Sequence, residues 1–266
     1  MSDTPPSRTE RDSHYAKLRR DYRDRHGGPQ PEPLRIYGLH SVAAALKNPD
    51  RIVHRLLATR NALQRLGTSR GPEPEIVEPR ALDRLVGAGA VHQGVVVEVE
   101  PLADRALTEL RDSDLVLVLD QVTDPHNVGA ILRSAVAMGA GAVIVTSRHA
   151  PGETAVLAKA ASGALESVPL IRVRNLAEAI ETLRNEGFRT IGLDSDGAQD
   201  LPEAVSGSRI ALVLGAEGKG LRQRTRDTVD ALARIDVPGA IRSLNVSNAA
   251  VLSLYIARRH LSDDGP

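Results

Sequence analysis

The sequence predicts an α/β fold with two domains, of which the larger is built on a parallel sheet. From Leu115 onward, apolar runs that suit buried strands alternate with segments that suit helices, and this alternation is typical of a parallel sheet covered by helices on both faces. A shorter alternation precedes it, between Leu34 and Glu100. The chain has 266 residues and is 41% hydrophobic, so it can bury the core of an average domain and of a smaller one.

Residues 1–33 predict a disordered arm. They are polar, contain Pro and Gly in "HGGPQPEP", and carry charges of both signs, a composition that buries too little apolar surface to fold. Two functions stay open for this arm, because its basic residues suit either a solvated tail or additional contacts to phosphate groups.

Residues 34–100 predict the smaller domain, which is itself an α/β unit. Ser41 stands in the N-cap position of its first helix, "SVAAALKN". The elements that follow are the strand "RIVHRLLAT", the helix "RNALQRLG", the strand "PEIVE", the helix "RALDRLVG" and the strand "GVVVEVEP". Residues 101–112 are predicted to form a linker, and residues 113–266 the larger domain.

The larger domain alternates strands and helices as far as the final helix. Its predicted strands are "LVLVLD", "GAVIVT", "ESVPLIRV", "RTIGLD", "RIALVLG" and "ALARIDV". Its predicted helices are one that starts at Asn127, then "ETAVLAKAA", "NLAEAIETLRNEG" and "SLNVSNAAVLSLYIARRHL". Parallel sheets bind ligands at the carboxyl ends of their strands. We therefore expect the functional site in the loops after Asp120, Leu214 and Asp236.

Composition excludes several classes of protein. The chain has no Cys, which excludes disulfides and thiolate metal sites, and its histidines lack the spacing of metal ligands. Lys and Arg balance Asp and Glu at 34 each, so overall charge gives no argument for a nucleic-acid partner. Neither a signal peptide nor a membrane-spanning apolar run is visible. The expectation is a cytoplasmic protein without a metal or membrane partner.

Two of the predicted loops contain more polar chemistry than a connector needs. In "DPHNVGAILRSA", Asn127 and Arg133 stand six residues apart on a helix that requires only a cap and an apolar stripe. In "GAEGKGL", the glycines let a ligand approach the backbone closely, and Glu217 places an acid among them. This second segment lacks the Walker spacing and is not a P-loop.

The third loop, "DVPGAIRSLNVSNAA", places four side chains that donate and accept hydrogen bonds just before the last helix. A cap could use one of them, most naturally Ser243 or Asn245. The rest suit the polar, uncharged edge of a ligand such as adenine, ribose or an amino-acid group.

These three segments, in this order, resemble the three motifs of the SpoU/TrmH-type RNA ribose 2'-O-methyltransferases of the SPOUT superfamily. The resemblance covers residues 115–261 and extends to "IYGLHSVAAAL" and "RHAPGETAVLAKAASGALESVPLIRVRNL", which look like the branch that methylates guanosine in bacterial 23S ribosomal RNA. It implies S-adenosylmethionine as methyl donor and a parallel-sheet SPOUT domain with a carboxyl-terminal trefoil knot. It further implies a small amino-terminal ribosomal-protein-like domain that binds RNA, a homodimer and a ribosomal RNA substrate.

The resemblance also assigns residues. Catalysis falls to Asn127, Arg133, Glu217, Ser243 and Asn245. Contact with the methyl donor falls to Leu214, Gly215, Ala216, Glu217, Gly218, Ile235, Val237, Pro238, Ser243 and Leu244. The family view makes Arg133 the base, but a guanidinium stays protonated in proteins. We expect Arg133 to bind a phosphate and stabilise the oxyanion while Asn127 orients it, and phosphate or water to accept the proton.

Two alternatives stay open. The same catalytic domain occurs in tRNA ribose methyltransferases, although the small domain favours ribosomal RNA because it supplies a second RNA contact distant from the target. A guanosine in the peptidyl-transferase loop is implied by resemblance alone. The other alternative is a non-catalytic RNA-binding protein in which the large domain only dimerises.

Overall fold

The computed structural model describes residues 33–67, 70–87, 89–110, 112–240 and 243–263. The predicted arm, apart from Pro33, lies outside these residues. The described residues from Leu34 onward belong to one compact unit that contains two sheets. Within the described ranges, no helix combines the length and the apolar character needed to cross a lipid bilayer.

The smaller sheet is formed by residues 34–99 and has the strand order β1-β4-β2-β3. Its central strand β4 pairs with β1 and β2 in antiparallel fashion. Every residue of β4 is buried, and its valines pack into apolar clusters on both faces of the sheet. The elements in chain order are β1 (Leu34–Tyr37), α1 (Leu39–Lys47), β2 (Val53–Ala58), α2 (Arg60–Leu66), β3 (Glu75–Ile76), α3 (Pro79–Val86) and β4 (Val95–Val99).

The predicted cap of α1 is wrong. The helix begins at Leu39 after Gly38, whose φ of 91° is readily adopted only by glycine. Ser41 therefore lies inside the first turn, where it is buried and its hydroxyl donates to the carbonyl oxygen of Ala158 at 3.1 Å. The Ser41 hydroxyl, which the local sequence pattern assigns to helix capping, instead makes a long-range hydrogen bond to Ala158.

The larger sheet has seven strands in the order β7-β6-β5-β10-β8-β11-β9, and each neighbouring pair is parallel. The predicted α/β class with a parallel sheet and a smaller second sheet is confirmed. The strands are β5 (Leu115–Asp120), β6 (Ala142–Thr146), β7 (Leu170–Val173), β8 (Arg189–Leu193), β9 (Gln199–Asp200), β10 (Ile210–Gly215) and β11 (Ala231–Arg234). The helices are α4 (Pro125–Ala137), α5 (Ala155–Ala161), α6 (Leu176–Asn185), α7 (Leu201–Ala204), α8 (Gln223–Thr228) and α9 (Val246–Asp263).

The helix predicted to start at Asn127 begins two residues earlier, at Pro125. Asp124 caps it by accepting a hydrogen bond from the amide of His126 at 3.0 Å, and proline at the first position lacks the amide that a helix start leaves unpaired. The cap places Asn127 in the first turn, at the carboxyl-terminal edge of the sheet.

Helices α4 and α9 lie side by side and run in the same direction. Asn245, just before α9, bonds to Asn127 near the start of α4, and Arg258 late in α9 donates to the carbonyl oxygen of Met138 at the end of α4. Register within the sheet pairs Gly215 with Asp120. The ends of β5 and β10 and the starts of α4 and α9 therefore meet at one edge of the sheet.

Candidate active site

A cavity opens at this edge, and five parts of the chain line it. They are the ends of β8 and β10 with the loops that follow them, one residue of α8, the segment after β11 and the start of α9. The lining residues are Leu193–Asp196, Leu214–Gly220, Arg226, Ile235, Val237, Ser243, Leu244, Val246 and Ala249. The loops predicted after Leu214 and Asp236 thus contribute to one cavity, together with a loop after β8 that the sequence did not single out.

The loop after β10 folds back on the end of its own strand. The amide of Gly220 donates to the carbonyl oxygen of Ala216 at 2.9 Å, and Gly218 and Gly220 have φ angles of 76° and 64°, a region that favours glycine. A Cβ on Gly215 would lie 2.1 Å from the carbonyl carbon of Gly220. The loop packs so tightly that its main chain, with Glu217 at the exposed tip, forms one wall of the cavity.

Asn127, Glu217 and Asn245 come together beside this cavity. The side-chain nitrogen of Asn245 donates to the side-chain oxygen of Asn127 at 3.2 Å and to a carboxylate oxygen of Glu217 at 3.4 Å. Its side-chain oxygen accepts from the amide of Ser247 at 2.8 Å, which makes Asn245 the cap of α9. Because the backbone N–H of Ser247 can only donate, the oxygen of the Asn245 side chain must face it, and the side-chain nitrogen is thereby directed at the two acceptors.

Arg133 is not brought into this cluster within one chain. Six residues of α-helix rotate a side chain by roughly 120° relative to the first and move it about 9 Å along the axis. Arg133 is exposed and lines a separate groove with His40, Lys47 and Ser162. It has no hydrogen bond or ion pair with another described residue.

The predicted donor-site residues lie together. Nine of the ten line the cavity, and the exception is the exposed Pro238. Ser243 is an exposed part of the lining and does not join the cluster of Asn127, Glu217 and Asn245. The individual catalytic and donor-binding roles stay predictions.

Sequence reasoning missed the loop after β8. Asp194 directly follows this strand, with its carboxylate nearly buried against the guanidinium of Arg226, and both residues line the cavity. The sequence offered one signal, since "RTIGLD" ends in Asp just as "LVLVLD" does. It could not show that β8 pairs with β10, which is what brings this loop to the site.

Asp120 is the other residue that the sequence did not assign. Its carboxylate is fully buried and accepts hydrogen bonds from the hydroxyl of Thr225 at 2.7 Å and from the Arg222 side chain at 2.6 Å and amide at 3.0 Å. These bonds attach the far end of the glycine loop and α8 to the end of β5. Asp120 therefore positions one wall of the cavity.

Replacing Asp120 with Ala should lower the free energy of unfolding by about 2 to 3 kcal/mol, because hydrogen bonds to a buried carboxylate are lost and Thr225 loses its partner. The Arg222 contact contributes at the low end of this range, because the Arg222 side chain is 43% exposed and the charge pair is partly screened by solvent. Urea denaturation measures the change. Asp227→Ala is the matched control, because this exposed carboxylate on α8 bonds, within the described part of the chain, to Gln223 alone. Equal effects of the two changes would contradict the role of Asp120.

Among the residues that the structure describes, no three His, Asp or Glu side chains are grouped as a metal ion requires.

Comparisons with known families place both parts of the chain. Residues 114–255 match the SpoU rRNA Methylase family. Residues 35–104 match the family described as RNA 2'-O ribose methyltransferase substrate binding. The two matched regions correspond to the larger and the smaller sheet.

Curated relatives are similar in sequence over most of the chain. The 23S rRNA (guanosine-2'-O-)-methyltransferase RlmB of Escherichia coli K12 is 39% identical over 244 residues, which cover 85% of this chain and 98% of that protein. The enzyme of the same name from Vibrio cholerae is 40% identical over 241 residues, covering 84% and 96%.

Solved structures show the same architecture. The SpoU methyltransferase AviRb from Streptomyces viridochromogenes, in complex with AdoMet, superposes with a TM-score of 0.75 at 27% identity and covers 93% of this chain and 95% of its own. The TrmH/SpoU tRNA modifying enzyme of A. aeolicus superposes with a TM-score of 0.51 at 25% identity and covers only 60% of this chain and 84% of its own.

Proposed function

Because this chain belongs to the SpoU rRNA methylase family, we propose that it methylates the ribose 2'-hydroxyl of a guanosine in 23S ribosomal RNA with S-adenosylmethionine as donor. Relatives of about 40% identity over most of the chain carry this activity in their names. The single observation that carries the proposal is the convergence of Asn127, Glu217 and Asn245 at the rim of one cavity. A non-catalytic scaffold has no physical need for that convergence.

The tRNA alternative fits less well. The small sheet matches a substrate-binding family, and the tRNA modifying enzyme covers only 60% of this chain. A second RNA contact suits a large folded RNA, in which elements distant from the target nucleotide can be recognised at the same time. We therefore propose ribosomal RNA as the substrate, and a cytoplasmic location because ribosomal RNA is there.

The cavity suits S-adenosylmethionine. Apolar side chains of Leu193, Ile235 and Leu244 line it beside the main chain of residues 214–220, so it offers apolar surface for a purine ring and backbone groups for that ring's polar edge. The carboxylate of Glu217 stands at the rim, where it can balance a positively charged ligand. When bound, the donor supplies a methyl group on a sulfonium, which is already an excellent leaving group.

Alignment is the main contribution that the protein has to make. Holding two reactants in a near-attack arrangement can lower a barrier by about 7 to 11 kcal/mol. The capping hydrogen bond from Ser247 holds the Asn245 side chain in place, and Asn245 in turn holds Asn127 and Glu217 through its own hydrogen bonds. Because the oxygen of Asn127 is already engaged, its two amide hydrogens are left for the ribose or a neighbouring phosphate of the RNA.

Arg133 must reach the reaction from another direction. A guanidinium beside the developing 2'-oxyanion would stabilise its charge and bind the adjacent phosphate. Arg133 cannot do so within its own chain, since it lines the groove on the far side of α4. A second subunit offers a route, provided that Arg133 lies at a subunit interface.

We propose a homodimer through the outer face of α4 and α9. Val136, Leu252 and Tyr255 are 39%, 42% and 54% exposed, unusually high values for large apolar side chains on neighbouring helices. The parallel course of the two helices puts these residues at the same level as Arg133. Packing this face against a second copy would bury the apolar side chains and carry each Arg133 toward the partner's cavity. The homodimer and the trefoil knot stay predictions from the family resemblance.

Methyl transfer from tritium-labelled S-adenosylmethionine to naked 23S ribosomal RNA tests the proposed function, with a pool of tRNA as the comparison. We expect incorporation into the ribosomal RNA at a single guanosine, located by alkaline hydrolysis because a 2'-O-methyl group protects the adjoining phosphodiester. Label in tRNA alone would favour the alternative substrate. Label in neither RNA, despite donor binding measured by calorimetry, would contradict the proposed reaction.

A further inference from the structure

A buried guanidinium joins the two parts of the molecule. Arg51 lies just before β2 of the smaller sheet, and its side chain is 0% exposed. Its Nη2 lies 2.6 Å from a carboxylate oxygen of Glu153 and 2.7 Å from one of Glu166, and its Nε donates to the other oxygen of Glu166 at 3.2 Å. Both carboxylates belong to the larger part of the chain, on either side of α5.

The neighbouring hydrogen bonds complete the contact from both sides. Arg51 also donates to the carbonyl oxygen of Glu100, at 2.7 Å, where the small sheet ends. Asn48 donates to Glu166 at 2.7 Å, and the amide of Leu102 donates to Glu153 at 2.9 Å. Burial alone would lower the pKa of the Arg51 guanidinium, but hydrogen bonds and charge from Glu166 and Glu153 outweigh it and raise that pKa.

A second contact lies at the other end of the same boundary. The buried hydroxyl of Ser41 donates to the carbonyl oxygen of Ala158. Lys159, the next residue of α5, lies with its ammonium 5.8 Å from the ring centroid of Tyr37 and 3.5 Å from the side-chain oxygen of Gln93. Two separated contacts resist rotation about the boundary better than one contact alone.

These contacts oppose a hinge for an electrostatic reason. Moving the small sheet away would leave the carboxylates of Glu153 and Glu166 close together without the cation between them, and unpaired charges in a poorly hydrated space are costly. The arrangement therefore has one favourable geometry. A linker of residues 101–112 that served only as a tether would need none of these side chains.

We propose that Arg51, Glu153 and Glu166 act as positioning residues that hold the substrate-binding part at one fixed distance and angle from the methyl-transfer cavity. The fixed separation of the two parts then selects the target: the methylated ribose is the one that lies at a set distance from the RNA element bound by the small sheet. The consequence for RNA rests on the proposed function, whereas the rigidity itself does not.

Distances between two spin labels, measured by double electron–electron resonance, test the rigidity without reference to catalysis. The chain has no Cys, so labels at Gln64→Cys on α2 and Glu181→Cys on α6 are unique, and both positions are exposed. Dilution with unlabelled chain removes distances between subunits. We expect a narrow distribution of label-to-label distances for the parent. The distribution should broaden in Arg51→Met, because methionine replaces the cation with an unbranched apolar side chain of roughly similar length.

Arg55→Met is the matched control. Arg55 pairs with Glu75 and Glu98, and both partners lie in the small sheet, so its loss should leave the distance distribution narrow. Glu166→Gln serves as a second test if Arg51→Met does not fold, because it keeps the side-chain volume while removing one charge. A broad distance distribution in the parent overturns the proposal, and so does an equally narrow distribution in whichever of Arg51→Met and Glu166→Gln folds.

Kinetics then tests the positioning role. Misplacing the second RNA contact should raise KM for 23S ribosomal RNA and lower kcat/KM by about tenfold or more, while the dissociation constant for S-adenosylmethionine stays unchanged. Arg51→Lys should recover part of the loss because it restores the cation. A broadened distance distribution with unaltered kcat/KM would contradict target selection by a fixed separation of the two parts. A parent enzyme inactive on this RNA would instead contradict the proposed function and leave the distance result standing.

Discussion

Replacing Arg133 with Ala is expected to reduce methyl transfer by about 10²- to 10³-fold, the usual effect of removing one group that stabilises an oxyanion. Arg133 is exposed on α4 and makes no bond within the described part of the chain, so the change should leave folding intact. Donor affinity should also persist, because Arg133 does not line the donor cavity. Single-turnover methylation and calorimetry with S-adenosylmethionine measure the two properties separately.

Arg133→Lys and Arg60→Ala make this prediction specific. Lysine keeps the charge but lacks the planar fork that binds phosphate through two parallel bonds, so it should recover only part of the activity. Arg60 is an exposed arginine at the start of α2, and its loss should leave the chemical step unchanged. Near-normal single-turnover rates for Arg133→Ala would refute the assignment.

Replacing Gly215 with Ala is expected to disrupt donor binding. The new Cβ would meet three main-chain atoms of Gly220 and Leu221 at 2.1 to 2.4 Å, and backbone cannot rotate away as a side chain can. Overpacking typically costs about 1 to 3 kcal/mol. If the glycine loop relieves it by moving, the dissociation constant for S-adenosylmethionine should rise by about 5- to 150-fold. Calorimetry measures this change directly.

Gly152→Ala is the matched control for the glycine loop. Gly152 is exposed, and nothing lies within 4 Å of the Cβ that this change would add. It should therefore bind S-adenosylmethionine like the parent. Unchanged affinity in Gly215→Ala, with the fold preserved, would show that this loop does not form the donor site.

The two variants together test whether Arg133 acts across the subunit interface. In a heterodimer of Arg133→Ala with Gly215→Ala, one cavity keeps its glycine loop and receives the intact Arg133 of the other chain. At a donor concentration too low for Gly215→Ala, co-purified heterodimers should then regain about one active site of two. Arg133 acting within its own chain predicts no recovery, because neither subunit retains both features.

The sequence by itself determined the elements and the loops of interest. Strands such as "LVLVLD" and "RIALVLG" are continuous apolar runs, and that local pattern is enough to predict buried parallel strands. The capping use of Asn245 was likewise one of two local choices, and the structure selects it over Ser243. Such features depend on residues within one or two turns of each other, so a single sequence displays them.

Only the tertiary structure decided which side chains meet. The loop containing Asp194 belongs to the cavity because β8 pairs with β10, and strand order leaves no local trace. Arg133 faces away from Asn127 because the six residues of helix between them rotate the two side chains to different faces of α4. The Ser41 hydroxyl donates to the carbonyl oxygen of Ala158 and does not cap its own helix. Arg51 meets Glu166 across 115 positions of chain. Contacts at such separations arise when whole elements pack together, and side-chain burial and charge pairing are settled by that packing.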